Sequence, residues 1–424
     1  MKQELLLDYE LATAQSGFVV HALLRLVGQA PADAARPPLN FALVLDRSGS
    51  MGGEKLTAAR DAAAFLLRRV APADAVALVT YDDTVDTLAQ SGNGVAPADL
   101  ARIVMGVESG GSTNLSGGWL RGREHVAEAR REHRMNRVVL LTDGLANVGI
   151  TQPAALVDLA ATARMRDAIT TSTIGFGADY DEALLRAMAD AGGGNTWYIE
   201  RPDQAPGVFE EEIEGLLSLA AQNVRVHVRP APGARFVAVL HDYPVRATPE
   251  GTRIEVGDIY GREPKSLLFE FHVPAGAADG DTDIGEITVD AHVLTADGGV
   301  ARQEVTIPIR SPLSPNGRRE PEVRQEMLLV RAARAREDAL RRREVGDYAG
   351  ASRMLHAAVA ELGRSEIAGS PLVMEQMADL TAVAQKLADA TFDALDAKYT
   401  AQRAYNTHRA KGIYEEKLRR RPQP

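Results

Sequence analysis

The period of the apolar positions changes several times along the chain, and each change marks a different kind of structure. Near the N-terminus, Glu4 to Ala12 and Phe18 to Gln29 read as strands. In the second of these, Val20, Ala22, Leu24 and Leu26 alternate with Val19, His21, Leu23 and Arg25, a period of two with both faces fairly apolar. Pro31 to Pro38 is rich in alanine and proline and reads as a linker. From Leu39 to about Leu219, short apolar runs alternate with helical patterns. The runs are Phe41 to Leu45, Ala75 to Thr80, Val138 to Thr142, Thr171 to Phe176, and Trp197 to Ile199. Consecutive apolar positions suit strands covered on both faces. Between them, Leu56, Ala59, Ala63, Leu66, Leu67 and Val70 share one helical face, and a second helix spans roughly Pro153 to Arg166 with proline in its first turn. This alternation predicts a doubly wound, mostly parallel sheet.

Period two returns from Val224 to Ile309. Val224, Val226 and Val228 alternate with Arg225, His227 and Arg229; Leu267, Phe269 and Phe271 alternate with Leu268, Glu270 and His272; Ile287, Val289, Ala291 and Val293 repeat the pattern. Turn signals at Pro232-Gly233, Pro249 to Gly251, Ala278 to Gly280 and Asp297 to Gly299 divide about six strands, with no helical run between them. This predicts an antiparallel sandwich. Two isolated strands are marginal in water, so the N-terminal pair is assigned to that sandwich, with the α/β region inserted between them. After the Pro/Gly-rich break Ser311 to Gly317, helical periodicity runs from Glu322 to about Ala410, interrupted at Gly346 and at Gly369-Ser370-Pro371. A helical hairpin plus one long helix is expected. Gly346-Asp347-Tyr348 with Ala351 and Leu355 resembles the second helix of a tetratricopeptide repeat, but it occurs once and such arrays need about three. The expected fold class is therefore α/β plus all-β plus all-α. Its parts are strands in 1–36, a Rossmann-like domain in 37–221, the rest of the sandwich in 222–311, a helical hairpin or bundle in 318–412 and a basic tail in 413–424.

Composition narrows the function classes. The 424 residues are 45% hydrophobic and 25% charged, enough for a real core in two or three domains. The net charge of −10 argues against broad nucleic-acid affinity, and Arg419-Arg420-Arg421 reads as a solvated tail. Without a cysteine there are no disulfides, thiolate metal sites or cysteine nucleophiles, which is compatible with a reducing compartment; a cytoplasmic location is expected. Acidic residues follow Leu5-Leu6-Leu7, so no signal-peptide core is read there, and no run approaches the roughly 18 apolar residues of a membrane span.

The chemistry concentrates in three loops. Asp46-Arg47-Ser48-Gly49-Ser50 follows the run ending at Leu45, where a doubly wound sheet binds ligands. Alternate residues point the same way, so Asp46, Ser48 and Ser50 present three oxygens to one point. Gly49, Gly52 and Gly53 permit the turn. Thr113, in Gly110 to Asn114, adds a hydroxyl, and Asp143, closing the run Val138 to Thr142, adds a second carboxylate. Two carboxylates and three hydroxyls suit a hard cation, Mg²⁺ before Mn²⁺. They leave it unsaturated, with a position for a partner's carboxylate. Asp46 alone would read equally well as a turn or cap residue; the other four oxygens weigh against that. Asp82 and Asp83 follow a strand and could reach the groups around such a cation, but read more simply as ordinary loop residues. His227, His272 and His292 read as half-buried sheet residues, and Trp119 and Trp197 as packing. Glu54 stands before Lys55 where a phosphate-binding loop needs glycine, and neither a Gly-x-Ser-x-Gly nor a His-Glu-x-x-His pattern occurs.

Asp-x-Ser-x-Ser at 46–50, then Thr113, then Asp143, resembles the metal-ion-dependent adhesion site of the von Willebrand factor A (VWA) family. The resemblance covers about Leu39 to Leu219 and includes 173–177 and 192–198. It implies Ser48, Ser50 and Thr113 as direct ligands, with Asp46 or Asp143 acting through water, and a bound Mg²⁺, alternatively Mn²⁺ or Ca²⁺. The order of domains resembles bacterial VWA proteins distantly similar to inter-α-trypsin-inhibitor heavy chains. The implied function is metal-dependent protein interaction, non-enzymatic, as adhesion or scaffold module. Some family members are adaptors for AAA+ ATPases of MoxR type. The alternative is a Mg²⁺-dependent hydrolase using the same cation, which lacks an evident general base. In the C-terminal region, Ala332, Ala335 and Ala339 with Met354, Leu355 and Ala358 form small apolar stripes expected to pack on the rest of the chain. Arg331, Arg334, Arg336 and Arg341 to Arg343 read as a solvated face, or as a second interaction surface.

Overall fold

The structure is a computed structural model that describes residues 1–13, 17–28, 38–90, 95–130, 135–177, 179–261, 264–274, 281–295 and 300–409. The linker at 31–37, the turns at 278–280 and 297–299, and the basic tail lie outside the described residues. The chain forms two compact units: Met1–Ala30, Ala220–Val293 and Ala301–Pro424 make one, and Pro31–Leu219 with Leu294–Val300 the other. Among the described residues no helix is long and apolar enough to cross a membrane.

In the unit centred on Pro31–Leu219, the apolar runs become β3 (Leu39–Asp46), β4 (Ala75–Tyr81), β6 (Met135–Thr142), β7 (Ile169–Phe176) and β8 (Gly193–Ile199). Every residue of β3, β4 and β6 is buried, as a doubly covered sheet requires. The short β5 (Val85–Gln90), not foreseen in the sequence, pairs antiparallel with β4 at the edge, and the six strands run β5-β4-β3-β6-β7-β8. All other pairings are parallel. The helices are α1 (Glu54–Leu67), α2 (Pro97–Val104), α3 (Leu115–Glu128), α4 (Pro153–Asp167), α5 (Glu182–Gly192) and α6 (Ala205–Leu217). α1 packs with α2 and α6, while α3 lies on β3, β4 and β6 and α5 on β7 and β8. Under the sheet, Arg137 is fully enclosed and donates from Nη1 to Glu212 Oε1 at 2.9 Å. Glu212 also accepts from Trp197 Nε1 at 2.8 Å and Asn195 Nδ2 at 3.2 Å. The buried charges are thus paired and hydrogen-bonded, as burial demands.

The other unit is a two-layer sandwich with helices. β1 (Lys2–Thr13) and β2 (Gly17–Val27) join β13 (Lys265–Val273) and β10 (Arg235–Val239) in the order β1-β2-β13-β10. β11 (Val245–Thr248), β12 (Gly251–Tyr260), β9 (Leu219–Pro230), β14 (Asp281–Leu294) and β15 (Val300–Pro312) form the facing sheet, in that order. Seven strands therefore follow α6 where about six were expected, and β9 begins at Leu219, ahead of the expected start at Val224.

The core between the sheets includes Val20, Ala22, Leu24 and Leu26 of β2 against Leu267, Phe269 and Phe271 of β13, with Val224, Val226, Ile287 and Val289 from the facing sheet. The opposite faces of β2 and β13 are also buried: Leu23 and Leu268 pack with Val323 and Met327 of α7 (Pro321–Glu344). Arg324 of α7 clamps buried Asp8 with bonds of 3.0 and 3.2 Å, and Arg25 pairs with Glu322. This explains why β2 lacks the polar face of an ordinary sandwich strand: it carries a sheet on one side and a helix on the other.

α8 (Tyr348–Arg364), α9 (Pro371–Ala388) and α10 (Ala394–His408) complete the helices, four in place of the expected three. The unforeseen break at 389–393 contains neither glycine nor proline. Ala390 adopts φ +56, and Asp393 caps α10 by accepting from the Asp396 amide at 2.8 Å. Ala332, Ala339, Ala351 and Leu355 lie in the helical core. Arg336, expected on a solvated face, is fully buried and bonded to Gln376 Oε1 and Asp379 Oδ2, each at 2.7 Å.

Two outcomes follow from the doubly covered sheet. Leu23→Ala and Leu24→Ala should each cost about 2–5 kcal/mol in denaturant unfolding; a one-sided sheet would make the first nearly neutral. His21, on the α7 side, has its pKa lowered by burial, opposed by the carboxylates of Glu270 and Asp8. An imidazole depressed in the folded state is neutral in both states above the unfolded pKa of about 6.5 and protonates first in the unfolded chain. Stability should therefore fall as pH drops below that value, and His21→Gln should flatten that part of the unfolding profile.

Candidate functional site

The order of strands places the candidate loops together. From β3 the chain moves outward through α1 to β4, whereas β6 leads through α4 to β7 on the other side. The sheet therefore reverses direction between β3 and β6, and the crevice beyond their carboxyl ends is where such folds bind ligands. Asp46 is the last residue of β3, and Asp143 follows the last residue of β6.

Both carboxylates have 0% solvent exposure. Asp46 accepts from Thr142 Oγ1 at 2.6 Å and from the Ser48 amide at 2.8 Å. Asp143 accepts from Ser50 Oγ at 2.7 Å and from Lys55 Nζ at 2.6 Å. Ser48 Oγ and Ser50 Oγ are 3.1 Å apart, so the hydroxyls of alternate loop residues do converge. Thr113 is buried, and a Cβ built on Gly144 would lie 3.3 Å from Thr113 Oγ1 and 3.6 Å from Ser50 Oγ. Glycine next to Asp143 thus lets the third loop close on the first. The structure brings Asp46, Ser48, Ser50 and Asp143 into one hydrogen-bonded cluster and sets the Thr113 hydroxyl beside it.

Burial raises the Asp46 pKa, with the Asp143 charge adding to the rise and bonds from Ser48 and Thr142 opposing it. Tyr81, which donates to the Leu141 carbonyl at 3.1 Å, is pushed well above its usual value by burial and by the Asp46 charge. Two enclosed carboxylates with one neighbouring ammonium favour a further positive charge. The donor set, all oxygen, fits a hard divalent cation.

Three further participants lie outside the five assigned positions. Asp82, taken for an ordinary loop residue, is buried and ties two site loops together: it accepts from Arg47 Nε at 3.1 Å and from Thr84 N and Oγ1 at 2.8 Å each. Burial would raise its pKa, but the bonds from Thr84 and Arg47 prevail and lower it. Its Oδ2 lies 1.9 Å from where a Gly110 Cβ would stand, so a side chain at that position would have to displace the Asp82 carboxylate. Backbone bonds finish the seam, from Gly110 N to Arg47 O at 2.7 Å and from Gly49 N to Gly111 O at 2.9 Å. Arg47 itself turns toward Asp82 and Asp86. Lys55, the second residue of α1, reaches back to Asp143, a partner 88 residues away in the chain. No group of three or more His, Cys, Asp or Glu that could hold a metal occurs among the described residues, so this mixed carboxylate–hydroxyl cluster is a site of another kind.

Residues 40–211 match the family model of the von Willebrand factor type A domain. The chain carries a VWA domain. Relatives include the uncharacterized protein YfbK of Escherichia coli K12, 29% identical over 240 residues, which are 55% of this chain and 42% of that protein. Another is the protein sll0103 of Synechocystis, 25% identical over 350 residues, 79% of this chain and 81% of its own length. Human inter-alpha-trypsin inhibitor heavy chain H3 is 30% identical over 219 residues, 48% of this chain but 23% of that protein. The chain thus spans less than half of YfbK and of the heavy chain. A von Willebrand factor type A structure from Catenulispora acidiphila superimposes with a TM-score of 0.73 over 96% of both chains at 18% identity, a likeness of fold. VWA domains are in general protein-interaction modules that bind a divalent metal at this place in the fold.

Proposed function

We propose that the VWA domain is a metal-dependent protein-interaction module in which Asp46, Ser48, Ser50, Thr113 and Asp143 hold Mg²⁺, and the ion takes a carboxylate from a protein partner. The observation that carries this is the meeting of two fully enclosed carboxylates and converging serine hydroxyls at the β3–β6 reversal. Mg²⁺ retains exchangeable positions when few carboxylates bind it, so an external acid completes its shell. Mn²⁺ or Ca²⁺ would use the same oxygens. The proposal includes a non-enzymatic scaffold role, a cytoplasmic setting, suggested by the absence of cysteine, and a domain spanning 37–221 inserted in the sandwich. An AAA+ ATPase of MoxR type is the partner class to test first.

Isothermal titration of Mg²⁺ should give one site in the wild type and none in Asp46→Ala; equal binding by both would remove the assignment. Partner capture should vanish in chelator and return with Mg²⁺. Turnover of phosphate esters by the wild type that is lost in Asp46→Ala would favour the hydrolase.

Lys55 sharpens the test. Its ammonium lies 2.6 Å from Asp143 Oδ2, where it competes for the charge that a divalent ion would use. Removing a neighbouring positive charge should strengthen cation binding by about 1 kcal/mol or more in a partly solvated site. Lys55→Met should therefore bind Mg²⁺ several-fold more tightly in the same titration. Weaker binding would mean that Lys55 serves instead to orient the carboxylate.

A further inference from the structure

Apart from the VWA site, the sandwich-and-helix unit contains a cavity of about 200 Å³ between the start of α7 and the segment joining α8 to α9. Four arginines line it, Arg319, Arg324, Arg331 and Arg364, against a single acidic lining residue, Glu366. Met327, Leu328 and Ile367 supply its apolar surface. Such a concentration of guanidinium groups in a chain of net charge −10 calls for a reason.

Intramolecular pairing accounts for part of it. Arg324 is committed to buried Asp8, with exposed Glu10 at 3.8 Å. Arg331 pairs with Glu361 at 2.5 Å, and Arg319 stands 3.5 Å from Glu366. Arg319, Arg331 and their acidic partners are all solvent-exposed, where such pairs are worth about 0–1 kcal/mol and exchange readily. Arg364 has no carboxylate partner among the described residues. Each guanidinium carries five donors, so donors remain free around the cavity after these pairs form.

Size and lining select the ligand. Pockets for whole small molecules begin near 300 Å³, so this one takes a group of side-chain size. Arginine forks match carboxylate geometry, and the neighbouring methionine, leucine and isoleucine match an aliphatic group. We propose that this cavity docks an acidic peptide segment of a protein partner, one carboxylate held by Arg364 with Arg331 and an adjacent aliphatic side chain resting on Met327, Leu328 and Ile367. This second contact requires no metal and stands independently of the VWA reading.

The test uses the full-length chain in chelator, so that the VWA site cannot contribute. The probe is a fluorescein-labelled hexapeptide alternating glutamate and leucine, followed by anisotropy. Saturable binding is expected, weakened at least tenfold in Arg364→Ala and further in the Arg331→Ala/Arg364→Ala double variant. It should weaken with added salt and be absent when glutamine replaces glutamate. Both substituted side chains are exposed, and thermal unfolding checks that each variant retains its fold; Arg364→Ala alone decides should the double variant fail to fold. No saturation by the wild type, equal binding by Arg364→Ala, or equal binding of the glutamine peptide would overturn the site. Displacement of the peptide by an equal concentration of hexanoate would assign it to small free acids and overturn the peptide proposal.

Discussion

Two carboxylates held out of water at the ends of adjacent parallel strands set the terms for the VWA domain. Asp46 ends β3 and Asp143 directly follows β6, and each costs free energy to bury unless bonded and balanced by positive charge. The surrounding chain meets that demand in layers. Thr142 and the Ser48 amide bond Asp46, and Ser50 and Lys55 bond Asp143. Asp82 fastens the outer loops so that these donors stay in place. A loop built only for turning the chain would not enclose two acids; this one does, and that enclosure supports the proposal that it receives a cation.

A different constraint governs the other unit. Its sheet β1-β2-β13-β10 is the middle layer of three, with a second sheet on one side and α7 on the other. Sandwich strands with one wet face show clean alternation. β2 and β13 instead bury Leu23 and Leu24, or Leu268 and Phe269, at successive positions. The polar and charged residues on the α7 side are accommodated there because they have partners across the layers, Asp8 with Arg324, and His241 Nε2 hydrogen-bonded with Glu326 at 2.9 Å.

What the sequence disclosed follows from these two constraints. Continuous apolar runs marked the parallel strands because full burial leaves no room for polar residues, and the five candidate site residues could be singled out because each loop follows such a run or precedes a helix. The apolar outer face of β2 was visible as a pattern, but its cause lay about 300 residues away in α7. β5 was missed because an exposed edge strand, Val85-Asp86-Thr87-Leu88, needs few apolar residues. The helix break at 389–393 was missed because an alanine takes the left-handed conformation there and no glycine or proline announces it. Asp82, Lys55 and the burial of Arg336 depend on partners distant in sequence, which no local period encodes.

The net charge of −10 bears on both proposed contacts. At physiological ionic strength fields decay over about 8 Å, so the overall negative charge neither draws in an acidic partner from afar nor strongly repels it at contact. Recognition must then come from positive charge held at close range in a partly dry setting, where each interaction is stronger than in water. The enclosed carboxylates would supply one such point by retaining a divalent ion, and the arginine-lined cavity supplies another with planar donors. A doubly charged ion binds nearly any accessible carboxylate, so it gives strength with little selectivity. A cavity of side-chain size with an aliphatic surface discriminates by what stands next to the acid. In a partner that engages both, selectivity would arise from the helices and affinity from the metal.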